Sequence, residues 1–348
     1  MLLSVDFPSW LKPEIIPGLP VRWYGLMYIF AFATAFLLYR RQIRERRFPM
    51  TEDQLYSLFT WGILGLLLGA RLFAAFIYSG DRYIRQPWLI FWPFSNGRFT
   101  GLMGMSYHGG ALGGLLAVIV YCKVKRYSFR ELSDMYAASV PLGYTFGRLG
   151  NFINGELYGR ITASPLGMVF PHGGISPSDK GFAVIRDAAE QMGIEAAAGP
   201  GGILNYPRHP SQLYEMLFEG IILWAIIWVF RNRKPFKGFL VGLYFLGYGL
   251  FRFFIEYFRE PDSDLGYRIV LIKSNLPPAV SHPPFSFSTG QILCFLMIVF
   301  GIVWSVVCSR LPEREPWAHD DEEGQGGKPA ADKASERNRR RQLRKKLR

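Results

Sequence analysis

Several windows of about twenty residues in this chain are nearly free of charge, and no other feature restricts its fold so much. About twenty helical residues cross the roughly 30 Å of bilayer hydrocarbon, whereas core helices of soluble proteins are usually shorter. Such windows lie at about 21–39, 55–78, 103–121, 132–146, 211–230, 238–258 and 290–308. Half of the 348 residues are hydrophobic, with 29 Phe, 18 Tyr and 9 Trp, which excludes a disordered chain and argues against a soluble globule. The expected fold is an all-α polytopic membrane protein with about seven transmembrane helices.

Charge placement sets the expected orientation. A net charge of +13 raises nucleic acid as a partner, but the loops at 40–47, 123–130 and 231–237 each hold four or five basic residues and alternate with poorer loops. That alternation is the signature of cytoplasmic loops, so no nucleic-acid partner is expected. It places the N-terminus outside and the C-terminus in the cytoplasm. Residues 1–20, with Pro8, Pro13, Pro17 and Pro20, read as an interfacial segment, and their lack of a basic stretch and cleavage site predicts no signal peptide. Residues 21–310 form the membrane domain. Within it, the Gly, Pro and Ala-rich stretch at about 161–206 lacks a run of membrane length and reads as a small periplasmic head. Residues 311–348 read as a disordered basic tail, with nine Lys or Arg between 333 and 348, drawn to the anionic cytoplasmic leaflet.

The string G-R-L-G-N-F-I-N-G-E-L-Y-G-R at 147–160 follows an apolar run yet carries Arg148, Asn151, Asn154, Glu156 and Arg160. An unpaired charge in hydrocarbon costs at least about 2.5 kcal/mol, so such residues line a wet cavity, pair with one another or hold a polar ligand. A self-satisfied polar re-entrant turn is the alternative. His108 opens another apolar run beside Gly109 and Gly110; it reads either as a functional group or as a histidine bonded to a backbone carbonyl. R-H-P-S-Q-L-Y-E at 208–215 starts a helix, with Glu215 complementing its dipole and Arg208 and His209 placed to meet an anion. Arg252, Glu256 and Arg259 are spaced four and three apart and share a helical face, as a ligand site or as an ion ladder. Tyr24, beside Trp23, suits an aromatic belt at the interface.

Arg148 and Arg252 are thus expected at the outer polar ends of separate spans, and a guanidinium fork suits phosphate. The phosphate most abundant at that depth is a phospholipid headgroup, so the residues point to a phospholipid-handling enzyme. A flippase and a different headgroup transferase are the rivals. Internal repeats would favour the first and an aspartate cluster a metal-dependent form of the second; neither is found in the sequence. Cys122, Cys294 and Cys308 sit in or beside apolar runs without metal or pairing spacing, and read as packing residues.

H-G-G at 108–110, the string at 147–160, R-H-P-S-Q-L-Y-E at 208–215 and G-Y-G-L-F-R-F-F-I-E-Y-F-R-E-P-D at 247–262 together resemble the bacterial prolipoprotein diacylglyceryl transferases, over about residues 20–308. W-Y-G-L-M-Y at 23–28 is similar to that family's first span. The resemblance implies transfer of the diacylglyceryl group of phosphatidylglycerol to the lipobox cysteine of a preprolipoprotein bearing a signal peptide. Glycerol 1-phosphate is released, and the reaction belongs to the inner membrane. It implies functional roles for His108, Arg148, Asn151, Glu156, Tyr248, Arg252 and Tyr24, with Asn154, Arg259 and His209 as further lipid-binding candidates. His108 would assist thiol deprotonation, and the arginines would hold the leaving phosphate. No metal-ligand cluster is read, and no cofactor is implied. The head around 193–202 and the basic tail match no pattern of the family.

Overall fold

The apolar windows become helices, although not one for one. The computed structural model describes residues 5–16, 22–78, 83, 85–92, 94–95, 98–99, 105–260, 267–272, 276–283 and 285–312. The basic tail from 313 onward, positions 1–4 and 17–20 of the interfacial segment and the first two residues of the third apolar window lie outside that set. Four helices are long and apolar enough to cross a membrane: Glu52–Ile77, Tyr107–Lys125, Ser211–Phe230 and Thr289–Arg310. Phe239–Ile255 is apolar but only 17 residues long. The helix Trp23–Arg46 has 24 residues, with arginines gathered in its final third.

The fourth window differs most from its expected form. It is two helices, Phe129–Ala137 and Val140–Ile153, separated at Ala138 and Ser139. Pro141 lacks an N–H to continue the first helix and is at home in the first turn of the second, so the chain breaks there. The second helix, here called α5, runs on through Ile153 and so carries the first half of the polar string as helix rather than loop.

The chain divides into two units. One comprises Arg40–Leu132 with Pro312–Arg348, as far as described. Its helices Glu52–Phe73 and Tyr107–Lys125 touch along glycines: a Cβ at Gly69 would stand 2.3 Å from Gly109 O, and one at Gly113 would stand 2.2 Å from Gly65 O. Only glycine permits that approach, which gains dispersion contacts in a solvent where apolar burial gains little. Thr51 and Gln54 form a capping box at the start of the first helix, and Arg46 pairs with Glu131 at 2.9 Å.

The other unit comprises Met1–Tyr39 and Ser133–Leu311. Here Ser211–Phe230 (α7), Phe239–Ile255 (α8) and Thr289–Arg310 (α9) accompany α5, and Gly242 and Gly301 let α8 and α9 meet closely. The head has a small core of Ile161, Ile175, Ala188, Ala189, Ile194, Tyr206 and Val280. Gly174–Ile175, Leu204–Asn205 and Ala197–Ala198 form a three-stranded antiparallel sheet with Leu204–Asn205 in the middle. Two distant pieces join it: Val5–Asp6 pairs in parallel with Met168–Val169, and Val280 follows the sixth apolar window. The all-helical expectation therefore holds for the apolar segments and not for the head.

α8 starts at Gly238, whose φ of 97° and lack of a side chain leave its first N–H groups uncapped locally. Asp134, fully buried, supplies the cap from afar: it accepts from the backbone of Gly238 and Leu240 at 2.9 Å and Val241 at 3.2 Å, and pairs with Lys234 Nζ at 2.9 Å. Asp134→Asn keeps the shape but loses the charge in these bonds, so stability is expected to fall by about 1.5–3 kcal/mol. A thermal midpoint in detergent unchanged from the parent protein would show that the cap is dispensable.

Candidate active site

The polar string and the two later motifs meet within the larger unit. On α5, Tyr144, Arg148 and Asn151 are spaced four and three residues apart and lie on one face. Arg148 donates from Nε to the Tyr144 hydroxyl at 2.6 Å and from Nη1 to Asn151 Oδ1 at 3.3 Å. α7 brings Glu215 and Glu219, both buried, to the same place. The helix widens into π-helical turns at Met216–Ile222, and Gly220 lets it lie against Thr145 of α5. Such local widenings are frequent where side chains serve a function.

Glu215 is the hub. Its Oε2 lies 2.7 Å from Arg148 Nε and 3.0 Å from Arg252 Nη1, and its Oε1 lies 3.6 Å from Arg259 Nη1. Arg252 also pairs with Glu256 at 3.2 Å and approaches Glu219 at 3.8 Å. Glu256 in turn accepts from Ser288 Oγ at 3.0 Å. Taking these charges out of water costs several kcal/mol each, and a mutual network of this kind is what repays it. The cluster is nevertheless incompletely satisfied. Among the described residues, Arg252 Nη1 has no aligned hydrogen bond despite its carboxylate neighbours. The Arg148 and Arg252 side chains are 17% and 14% exposed.

Glu156 sits at the rim and accepts from the side-chain amides of Asn151 and Asn154, each at 3.1 Å. By taking their N–H groups it turns the Asn151 oxygen toward Arg148 and leaves Asn154 Oδ1 buried without a hydrogen bond among the described residues. A cavity of about 700 Å³ opens here, with Lys12, Arg22, Asn154, Glu156, Tyr158 and His172 in its wall. Tyr248 of α8 stands edge-on to Tyr144, centroids 6.0 Å apart. Tyr24 packs on Gly150 of α5, where a Cβ would come within 3.1 Å of its ring, and its hydroxyl is 3.1 Å from that of Tyr28.

Four expected groups behave differently from their neighbours. His209 Nδ1 lies 3.3 Å from the Tyr214 hydroxyl, and its ring is edge-on to Phe258. Burial, aided by the charge of Arg160, holds its pKa below the usual histidine range, which favours a neutral ring over an anion-binding cation. Arg160 donates to the carbonyls of Tyr257, Pro278 and Ser281, so it ties the head to the end of the sixth window. Arg208 pairs with Glu260 at 2.6 Å and lies over the Tyr158 ring. His108 belongs to the smaller unit: it is the exposed second residue of Tyr107–Lys125, whose N-terminus Ser106 caps through Gly109 N.

Tyr144 and Glu219 are site groups that the sequence motifs do not single out. Glu219 had a signal: with Glu215 it makes two carboxylates one turn apart inside an otherwise apolar helix, which calls for a cationic partner. Tyr144 had none, because a tyrosine in an apolar run reads as packing. Among the described residues, no group of three or more His, Cys, Asp or Glu is placed to hold a metal ion.

The chain as a whole is similar to known proteins. A chain from Treponema denticola named phosphatidylglycerol–prolipoprotein diacylglyceryl transferase is 53% identical over 316 residues, covering 86% of this chain and 93% of its own length. Chains of the same name from Treponema pallidum and Chlorobaculum tepidum are 50% and 41% identical, again over 86% of this chain and 94% of theirs. Since the family model for prolipoprotein diacylglyceryl transferase also matches residues 13–307, from the interfacial segment to the last apolar helix, the chain belongs to the prolipoprotein diacylglyceryl transferase family.

Proposed function

We propose that this multi-pass membrane protein transfers the diacylglyceryl group of phosphatidylglycerol to a cysteine thiol of a prolipoprotein, in lipoprotein maturation. The observation that carries the reading is the buried cluster in which Arg148 and Arg252 share Glu215 while Arg252 Nη1 is left without an aligned acceptor among the described residues. The acceptor is the phosphodiester. The thiol sulfur, from the lipobox cysteine behind the signal peptide, attacks the glyceryl carbon that bears the phosphate. A C–S bond forms, the C–O bond breaks, and its electron pair leaves with the phosphate as glycerol 1-phosphate.

Arg148 and Arg252 are donors placed where charge grows on the departing phosphate, which lowers the barrier without reorganisation at the moment of reaction. Asn151 and Asn154, oriented by Glu156, fix the headgroup, and Tyr248, Tyr24 and Arg259 border the lipid. His209, held neutral, is a hydrogen-bonding group at the rim. His108 takes the thiol proton: a free thiol is only a few per cent thiolate at neutral pH, so a base raises the reactive fraction. The protein's own cysteines are buried and are not required, because the substrate brings the nucleophile. Seven spans, counting Trp23–Arg46, the helix pair over 129–153 and Phe239–Ile255 with the four helices long and apolar enough to cross a membrane, put the N-terminus and head outside the inner membrane and the C-terminus in the cytoplasm. Incubating purified protein with phosphatidylglycerol and a lipobox peptide, then weighing the peptide, tests the reading. A peptide without the diacylglyceryl mass increment would refute it.

The cytoplasmic tail lies on the face opposite this chemistry. Deleting 313–348, while keeping Pro312 whose carbonyl accepts from Arg130, is expected to leave peptide lipidation within about twofold of the full chain. A truncated protein that inserts normally yet cannot lipidate the peptide would make the tail more than a membrane anchor.

A further inference from the structure

Glu219 has an unusual set of neighbours for a carboxylate that is 1% exposed in an apolar helix. Its nearest cationic atom, Arg252 Nη1, is 3.8 Å away, and its one close contact is with a neutral group, the Tyr144 hydroxyl, 2.6 Å from Oε2. Its other oxygen has no hydrogen bond among the described residues. A buried charge held mainly by a phenol needs a reason other than stability, since an apolar residue in its place avoids the desolvation cost.

The reason lies one bond further on. The Tyr144 hydroxyl has one proton and two carboxylate oxygens within reach, Glu219 Oε2 at 2.6 Å and Glu215 Oε2 at 3.2 Å. Donation to the nearer one turns the oxygen's lone pairs toward Arg148 Nε, also 2.6 Å away. Arg148 Nε–H then lies between two acceptors, Tyr144 and Glu215, and Nη1 donates to Asn151, so the plane of the guanidinium is pinned from two sides. We infer that Glu219 is a positioning residue: through the Tyr144 hydroxyl it fixes the orientation in which Arg148 meets the phosphate. The inference rests on the transferase reading above. Neither Glu219 nor Tyr144 touches the substrate in this arrangement; each acts through the arginine.

The test uses the full chain in membranes or detergent, with phosphatidylglycerol and a lipobox peptide, and reads kcat and KM per folded enzyme. The variants are Tyr144→Phe, Glu219→Gln and the pair, each made in the parent chain and in Arg148→Lys. Positioning predicts that either single change lowers kcat about tenfold while KM for phosphatidylglycerol moves less than about threefold. It also predicts that the pair is no worse than either alone, and that neither change costs more than about twofold once Arg148 is lysine. Single variants within about twofold of the parent would overturn the inference, as would losses that multiply in the pair and persist in the Arg148→Lys background. If Glu219→Gln does not fold, Tyr144→Phe, which removes one oxygen, carries the same comparison. The parent chain separates the two ideas: no lipidated peptide from it sinks the transferase reading, whereas normal lipidation with unaffected variants sinks only the role of Glu219.

Discussion

Arg148→Lys is expected to lower kcat/KM for phosphatidylglycerol by about 10² to 10³, the range for losing one preorganised donor to a developing anion. The charge survives the change, so a purely Coulombic role predicts little loss. The guanidinium, however, does three things at once: Nε faces both Tyr144 and Glu215, and Nη1 holds Asn151. An ammonium on a flexible stem is drawn to the Glu215 carboxylate and has no rigid second edge to offer. Arg252→Lys is expected to act the same way, because its two Nη atoms separately face Glu215 and Glu256. Single-turnover lipidation at matched amounts of folded protein measures the effect. Parent-like turnover by both lysine variants would remove bidentate phosphate recognition from the mechanism.

What could be read from the sequence divides by range. The apolar windows and the loop charges are local patterns, and they carry the membrane class without reference to the rest of the chain. The chemical groups of the site were also legible, because Arg148, Asn151, Glu156 and Arg252 are costly where they stand and that cost is visible one residue at a time. Their partners were less so. Reading Arg148 as a free phosphate ligand misses Glu215, which as part of R-H-P-S-Q-L-Y-E looks like a helix-start residue complementing a dipole. The structure instead makes it the counter-ion shared by Arg148, Arg252 and Arg259.

Long-range pairings explain the remaining differences. Asp134 caps a helix that begins at Phe239, and no local pattern connects the two. Arg160 stands in the same string as Arg148 and has the same chemistry, yet its Nε and Nη1 donate to the carbonyls of Tyr257, Pro278 and Ser281. Composition cannot separate an arginine that holds a ligand from one that holds a loop. The head likewise borrows Val5–Asp6 and Val280 from distant positions, so its limits extend beyond the Gly and Ala-rich stretch that marks it.

His108→Gln is expected to slow single-turnover peptide lipidation by about 10² to 10⁴, the usual contribution of a positioned general base, while phosphatidylglycerol binding persists. Glutamine keeps similar size and some hydrogen-bonding capacity but has no basic nitrogen, so the comparison isolates proton acceptance from packing. His108 is exposed at the first turn of its helix, and the neighbouring Gly109 and Gly110 are buried, with Gly109 pressed against Gly69 and the Phe73 side chain. The glycines therefore serve helix packing, whereas the imidazole, like the neighbouring Tyr107 side chain, is exposed. A base must be unprotonated to accept the thiol proton. The base role therefore predicts that the pH profiles of single-turnover lipidation differ between the parent and the glutamine variant. A structural histidine predicts otherwise: near-parent rates, or joint loss of folding and lipid binding. Rates close to the parent's with an unchanged pH profile would rule out the base role and leave the proton to Tyr248, Glu156 or water.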